Sequence, residues 1–288
     1  MVITKLMGGL GNQLFQYAFG KHIAIKNNRP LKFDLSFFKD NPTRKYGLHH
    51  FSIAEAAATA AEIEQLKQQH FSKLNTYKRK LLKTKSHFVH EKGPLFNPEY
   101  FALQKDVYID GYWQSEKYFA DVAEAIRAEL QFSQAPSAAN RQMLGQIAQN
   151  NAISMHIRRG DYINSEHSGI HGVCAMSYYT AAVGTIVGKV ANPVFYVFSD
   201  DMEWVKLNLG LLHPAVFVDI NNNEMAYEDM RLMSNCKHHI IANSSFSWWG
   251  AWLNPRADKI VIAPKQWYNN AELNAEATAI TPDSWIRL

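Results

Sequence analysis

The chain has 288 residues, 47% of them hydrophobic and 19% charged, which excludes a disordered polymer and allows one large domain or two modest ones. A formal net charge of +4 permits an anionic ligand but lacks the concentrated basic stripe of a nucleic-acid binder, so no nucleic-acid partner is expected. Two distant cysteines, Cys174 and Cys236, exclude a disulfide framework, and no run of about 18 apolar residues is present to span a bilayer.

The opening MVITKLMGGLG is too short and broken an apolar run for a signal peptide, and with the reduced cysteines it leads us to expect a cytoplasmic protein. Val2–Met7 reads as a strand, Gly8 to Asn12 as a turn and Gln13–Lys26 as a helix. In MGGLGNQLFQYAFG the glycines allow close backbone approach, and the helix start behind them offers N–H groups to a phosphate. Asn12 and Gln13 add amides that can bond hydroxyls or phosphate oxygens. The segment is neither a P-loop nor a GxGxxG fingerprint, and a plain βα turn that binds nothing is the alternative.

Leu31–Asp34 reads as a second strand and residues 54–70 as a surface helix. Lys78–Lys92 is the most basic run; a solvated helix is the default, with loose attachment to an anionic membrane surface as the other option. Val107–Tyr112 is a strand, followed by Tyr112, Trp113 and Gln114, an aromatic and polar group that suits a sugar face or packing. Glu116–Leu130 closes this half as a helix, and SQAPSAAN, Ser133–Asn140, reads as a boundary.

A second α/β series follows. Its strands are expected at Ala152–His156, Val194–Ser199, Val216–Val218, His239–Ala242 and Ile260–Ala263, with helices at Ser177–Lys189, Met202–Leu207, Ala226–Ser234 and Ser247–Leu253. In such sheets ligands sit at the carboxyl ends of the strands, and there the polar residues fall. HIRRGDY, His156–Tyr162, ends one strand. Arginine binds phosphate by bidentate, charge-assisted bonds, and Arg158 is the candidate for a diphosphate. Arg159 points the other way along an extended segment and braces the turn or the acid. FSDD, Phe198–Asp201, offers carboxylates for base N–H groups, with a helix cap as the alternative; no His or Glu partner stands at metal-ligand spacing. In IIANSSFSWWGAWL, Ser244, Ser245 and Ser247 can cap a helix and face a phosphate, while Trp248, Trp249 and Trp252 share a buried helix face.

In order and spacing, MGGLGNQLFQYAFG, DGYWQSEKYF, HIRRGDY, HGVCAMSYY, FSDD and NSSFSWWGAWL resemble the bacterial α-1,2-fucosyltransferases, glycosyltransferase family 11. HxRRGD alone is shared with α-1,6- and protein O-fucosyltransferases; the N-terminal glycine and serine–tryptophan segments narrow the resemblance. It implies an α/β fold of GT-B type, two Rossmann-like domains facing a central cleft. Residues 1–135 would be the acceptor side and 136–288 the GDP-fucose side. It also implies GDP-β-L-fucose as donor, inversion at the anomeric carbon, no cofactor or metal, and a terminal β-galactose attacking through its 2-hydroxyl. Surface polysaccharide or O-antigen synthesis is the implied context, with peripheral attachment to the inner face of the membrane as an option.

By the same resemblance, Arg158 serves the diphosphate, His156 and an aspartate of the Asp200–Asp201 pair the guanine, and Asn243, Ser244, Ser245 and Phe246 the donor. Gly9, Gly11, Asn12 and Gln13 line the phosphate and fucose side; Tyr112, Trp113 and Gln114 are the acceptor candidates from their residue types alone. Asp161 is the expected general base, with Glu166 and His167 as rivals. A fucosyltransferase of another linkage and a non-catalytic glycan or nucleotide-sugar binder are the competing classes.

Overall fold

The computed structural model describes residues 1–54, 56–71, 87–103, 106–160 and 172–288. The chain divides into two compact units, Met1–Ser133 and Gln134–Leu288. Both are built on parallel sheets, as the alternation of apolar and amphipathic segments anticipates.

In the first unit, β1 (Val2–Lys5), α1 (Leu10–Asn27), β2 (Leu31–Asp34), α2 (Ala60–Phe71), β3 (Phe88–His90), β4 (Val107–Asp110) and α3 (Ala123–Glu129) follow one another. The sheet order is β2-β1-β4-β3, every pair parallel. Helix α1 starts three residues before the expected Gln13, because the N–H groups of Asn12 and Gln13 already bond the Gly9 carbonyl, at 3.0 and 3.1 Å. It lies very close to the sheet: a Cβ on Gly20 would stand 2.1 Å from Thr4 Oγ1. Asn28, in the left-handed region at φ 50°, ends it.

Three expectations for this half are corrected. The helix expected over 54–70 begins only at Ala60, because Ala56 and Ala58 exchange backbone bonds with Phe33 beside β2. The helix expected over Glu116–Leu130 is two short 3-10 turns, Glu116–Tyr118 and Ala120–Val122, before α3, with Phe119 between them fully buried. The solvated helix expected over Lys78–Lys92 is replaced at its end by β3, where Phe88 stacks on Tyr108 at 5.4 Å; residues 78–86 lie outside the described ones.

The second unit runs α4 (Ala138–Gln149), β5 (Asn151–Ile157), α5 (Met176–Val187), β6 (Pro193–Ser199), α6 (Met202–Asn208), β7 (Ala215–Phe217), α7 (Ala226–Asn235), β8 (His238–Ile240), α8 (Ser245–Leu253), β9 (Val261–Ala263), α9 (Ala271–Glu276) and β10 (Ile286–Arg287). Its parallel sheet has the order β10-β9-β8-β5-β6-β7. The period of two sorts side chains onto two cores: Ile153, Met155, Ile157, Phe195 and Val197 on one face, Ala152, Tyr196 and Phe198 on the other. Helix α4 was missed in the sequence, where Ser133–Asn140 reads only as a linker. Ser137 caps it, accepting from the Asn140 N–H at 3.2 Å.

Two buried polar residues in this unit show how geometry sets their charge state. His239 is fully buried, and burial holds its pKa well below the ordinary imidazole value, so it stays neutral. Asn254 Nδ2 donates to Nε2 at 2.8 Å, which leaves Nδ1–H to donate to Ser154 Oγ at 2.8 Å.

Asp229 accepts from Asn221 Nδ2 at 2.7 Å, yet burial, with Glu228 and Asp219 nearby, raises its pKa to about 7. A carboxyl with a raised folded-state pKa contributes stability at pH 4 and loses it as pH climbs through 7. We therefore expect Asp229→Asn to raise the melting temperature at pH 8 and leave it nearly unchanged at pH 4.5. Equal shifts at both pH values, read by thermal denaturation, would contradict this.

Among the described residues no helix is long and apolar enough to cross a membrane.

Candidate active site

In the second unit the three motifs singled out in sequence converge. β5 pairs in register with β6, His156 opposite Phe198 and Ile157 opposite Ser199, and with β8 on its other side. HIRRG, SDD and NSSF therefore leave the carboxyl ends of three adjacent strands.

Arg158 and Asp200 follow those paired residues. Arg158 Nε meets Asp200 Oδ2 at 3.2 Å, with both side chains mostly buried, and Asp200 Oδ1 accepts the Arg159 N–H at 2.8 Å. A Cβ on Gly160 would lie 3.1 Å from Asp200 Oδ2, so the turn approaches the acid closely. One carboxylate thus fixes both the first guanidinium and the backbone after it.

Arg159 does point the other way, as alternation requires. Its guanidinium lies 3.9 Å from the ring centre of Trp204 on α6, and Nε meets Asp201 Oδ2 at 3.3 Å. Asp201 Oδ1 also caps α6 through the Trp204 N–H at 3.3 Å. Both acids of the SDD segment are thus engaged with arginines. A carboxylate has about four acceptor positions, so these bonds leave capacity for a ligand donor.

His156 shares the Arg158 face and is 4% exposed, its ring 5.7 Å from that of Phe246 in the first turn of α8. Ser244 is the N-cap of α8 and accepts the Phe246 N–H at 3.3 Å, with Ser245 next to it. Asn243 is buried and braces the loops behind: its Nδ2 donates to Gly172 O and Trp267 O, and its Oδ1 accepts from the Cys174 thiol. Burial raises the Cys174 pKa to about 11, which leaves it a protonated donor rather than a nucleophile. Trp248, Trp249 and Trp252 are core residues, as their spacing anticipates. Asp161, Glu166 and His167 lie outside the described residues.

In the first unit a second group forms at the ends of β1 and β4. Gly9 is the N-cap of α1 and Gly11 sits buried in its first turn. Gln13 is fully buried, and among the described residues its side-chain bonds are to backbone: Nε2 donates to Gly8 O and Lys45 O at 3.0 and 2.9 Å, and Oε1 accepts the Gly47 N–H at 2.9 Å. These bonds tie residues 45–47 to the glycine turn. The lock brings Arg44 over Gly9, its Nη1 3.7 Å from where a Gly9 Cβ would stand. Asn12 Oδ1 accepts from Gln114 Nε2 at 2.8 Å, joining the two motifs.

Trp113 takes the packing alternative in this structure. It is fully buried, stacked on Phe19 at 4.3 Å and edge-on to Tyr118, so it offers no face to a sugar. Its φ of 55° is unusual for a bulky residue and costs on the order of 1–3 kcal/mol. Tyr112 beside it is 43% exposed. The residue missed in sequence is Glu91, just past β3, whose carboxylate accepts the N–H groups of Tyr112 at 2.6 Å and Trp113 at 3.0 Å. An acid directly after FVH was the available signal, obscured by the lysines around it.

Among the described residues no cluster of three His, Cys, Asp or Glu side chains could hold a metal ion. In the second unit the arrangement can bind an anion through a fixed guanidinium beside a helix N-terminus with a serine cap.

Comparison with known proteins adds to this geometry. The family model described as glycosyl transferase family 11 matches residues 1–288. An "Alpha-1,2-colitosyltransferase" of Escherichia coli is 34% identical over 303 residues, covering 100% of this chain and 99% of that protein. An "O-antigen biosynthesis glycosyltransferase WbnK", also from Escherichia coli, is 36% identical over 98% of this chain and 99% of its own. Among solved structures, the fucosyltransferase NodZ from Bradyrhizobium matches with a TM-score of 0.52 at 15% identity, over 91% of this chain and 94% of that one. A NodZ crystal described as an alpha-1,6-fucosyltransferase soaked with GDP-fucose matches at 0.51 and 16%, with the same coverage. At these identities the likeness to NodZ shows the fold, and with the two parallel-sheet units it bears out the GT-B class read from the sequence.

Proposed function

The chain belongs to glycosyl transferase family 11, and from that premise we propose that this glycosyltransferase moves L-fucose from GDP-β-L-fucose to the 2-hydroxyl of a terminal β-galactose. The observation that carries the reading is Arg158, held by Asp200 at 3.2 Å where β5, β6 and β8 end together. Residues 136–288 are the proposed donor side, with Arg158 and Ser244–Ser245 on the diphosphate and His156, Phe246 and the Asp200–Asp201 pair on the guanine. Residues 1–135 are the proposed acceptor side, with Tyr112 and Gln114 reaching the galactoside.

A β-linked donor and an α-linked product require one inversion. The acceptor hydroxyl attacks the anomeric carbon as the bond to the diphosphate breaks, and negative charge grows on the leaving GDP. Fixed cations and N–H dipoles aimed at that charge supply the largest part of the rate enhancement. Arg158 and the N-terminus of α8 fill this role without a metal, so transfer in excess EDTA should equal that in buffer. Asp161 is the proposed base for the hydroxyl proton. The O-antigen relative supports a cell-surface polysaccharide as the natural acceptor.

A second reading concerns the donor sugar, because a relative 34% identical over the whole chain bears the name colitosyltransferase. Colitose is fucose without its 3-hydroxyl. A site that bonds that hydroxyl rejects the deoxy sugar by about 10⁴–10⁵, whereas an apolar site discriminates by only about 10². Incubation with lactose and either GDP-fucose or GDP-colitose, with linkage assigned by NMR, tests both readings. We expect α-1,2-fucosyllactose and a strong preference for GDP-fucose. Preference for GDP-colitose would shift the donor, another linkage would overturn the acceptor reading, and binding without turnover would make the chain a lectin-like protein.

A further inference from the structure

We infer that Glu91 is a positioning residue for the acceptor side, setting where Tyr112 and Gln114 stand although it belongs to neither motif. The inference rests on the reading of DGYWQ as acceptor-binding. β4 ends at Asp110, and the backbone must then leave the sheet. Gly111 has no room for a side chain: a Cβ there would lie 2.4 Å from Glu91 Cβ and 2.9 Å from Trp113 Cε2. The next two N–H groups both point at the Glu91 carboxylate, Tyr112 at 2.6 Å to Oε2 and Trp113 at 3.1 and 3.0 Å to the two oxygens. Charge-assisted bonds of this kind are about twice as strong as neutral ones and hold the left-handed Trp113 in place.

The consequences separate three neighbours. Trp113 is turned into the aromatic core beside Phe19, Tyr100 and Tyr118. Tyr112, one residue earlier, is left 43% exposed. Gln114, one residue later, is delivered to Asn12 at 2.8 Å. The Trp113 carbonyl accepts the Ser115 N–H at 2.8 Å, and Ser115 caps the following turn, so the far end of the segment is anchored independently. Glu91 supplies the anchor at the near end, and itself occupies the register position after His90, which pairs with Asp110.

Glu91→Gln keeps the size but substitutes an NH₂ for one acceptor, setting a donor against a donor. Losing a charged acceptor for these two N–H groups corresponds to about tenfold or more, and we expect that loss in kcat/KM for the galactoside, with GDP affinity by calorimetry unchanged. Gln114→Ala should give the same acceptor phenotype, and the double variant should be no worse than the poorer single one, because Glu91 acts through the segment that carries Gln114. Glu91→Asp, with the oxygens withdrawn by one methylene, is run in the same cycle, so a poorly folding glutamine variant leaves the test intact. Acceptor kinetics within twofold of the parent, additive losses in the double variant, or a parallel loss of GDP affinity would each overturn the inference. A parent protein that transfers to no galactoside would overturn the acceptor reading and this inference with it, whereas a parent that transfers beside an equally active Glu91→Gln variant overturns this inference alone.

Discussion

Arg158→Ala should lower transfer by about 10²–10³-fold, the usual cost of removing one group that stabilises charge developing in the transition state. Arg158→Lys should not restore it. Asp200 holds the guanidinium through Nε at 3.2 Å and is itself tied to the Arg159 N–H at 2.8 Å, so the plane of the group is set by the turn. Lysine carries a point charge on a flexible stem, with no fork and no Nε for Asp200 to hold. The loss should fall in kcat, with GDP-fucose affinity changed less, since the bridging oxygen carries more charge in the transition state than in the bound donor. Initial rates with GDP-fucose and lactose measure this, and a lysine variant near the parental rate would remove Arg158 from the mechanism.

Trp248→Ala should cost about 3–5 kcal/mol of unfolding free energy, a large fraction of the roughly 5–15 kcal/mol available to a natural protein. Trp248 is fully buried, packs on Trp249, Trp252 and Trp285 at 5.1, 6.2 and 5.4 Å, and donates Nε1–H to Ile280 O at 2.7 Å. Alanine leaves a cavity and an unpaired buried carbonyl. Because α8 carries Ser244, Ser245 and Phe246 at its start, activity should fall with the folded fraction. Urea denaturation followed alongside activity is the check. Unchanged stability with a raised acceptor KM would make Trp248 a sugar platform rather than core.

The two predictions draw on features of unequal legibility. The tryptophan core could be read from spacing, because residues three and four apart share a helix face whatever they pack against. The different orientations of Arg158 and Arg159, one on Asp200 and the other on Asp201 and Trp204, could be read from alternation along an extended chain. Trp113 and Gln13 could not. An aromatic and an amide in motif segments resemble ligand contacts, but their partners, Phe19 and the carbonyls of Gly8 and Lys45, are settled by packing. β3 was hidden because three residues at the end of a basic run carry little periodic signal, and pairing with β4 supplies the reason for the strand.

The sequence by itself determined the class of the fold and the points where chemistry collects. Apolar runs alternate with amphipathic ones, and each polar motif begins where an apolar run ends; both are local properties of the chain. Tertiary structure alone decided which motifs meet. The parallel register of β6, β5 and β8 places Asp200 against Arg158, and adjacency of β1 and β4 places Gln114 against Asn12. Strand order and register are set by long-range backbone hydrogen bonds and by burial of both sheet faces, terms that join residues dozens of positions apart and leave no mark in the spacing of any one segment.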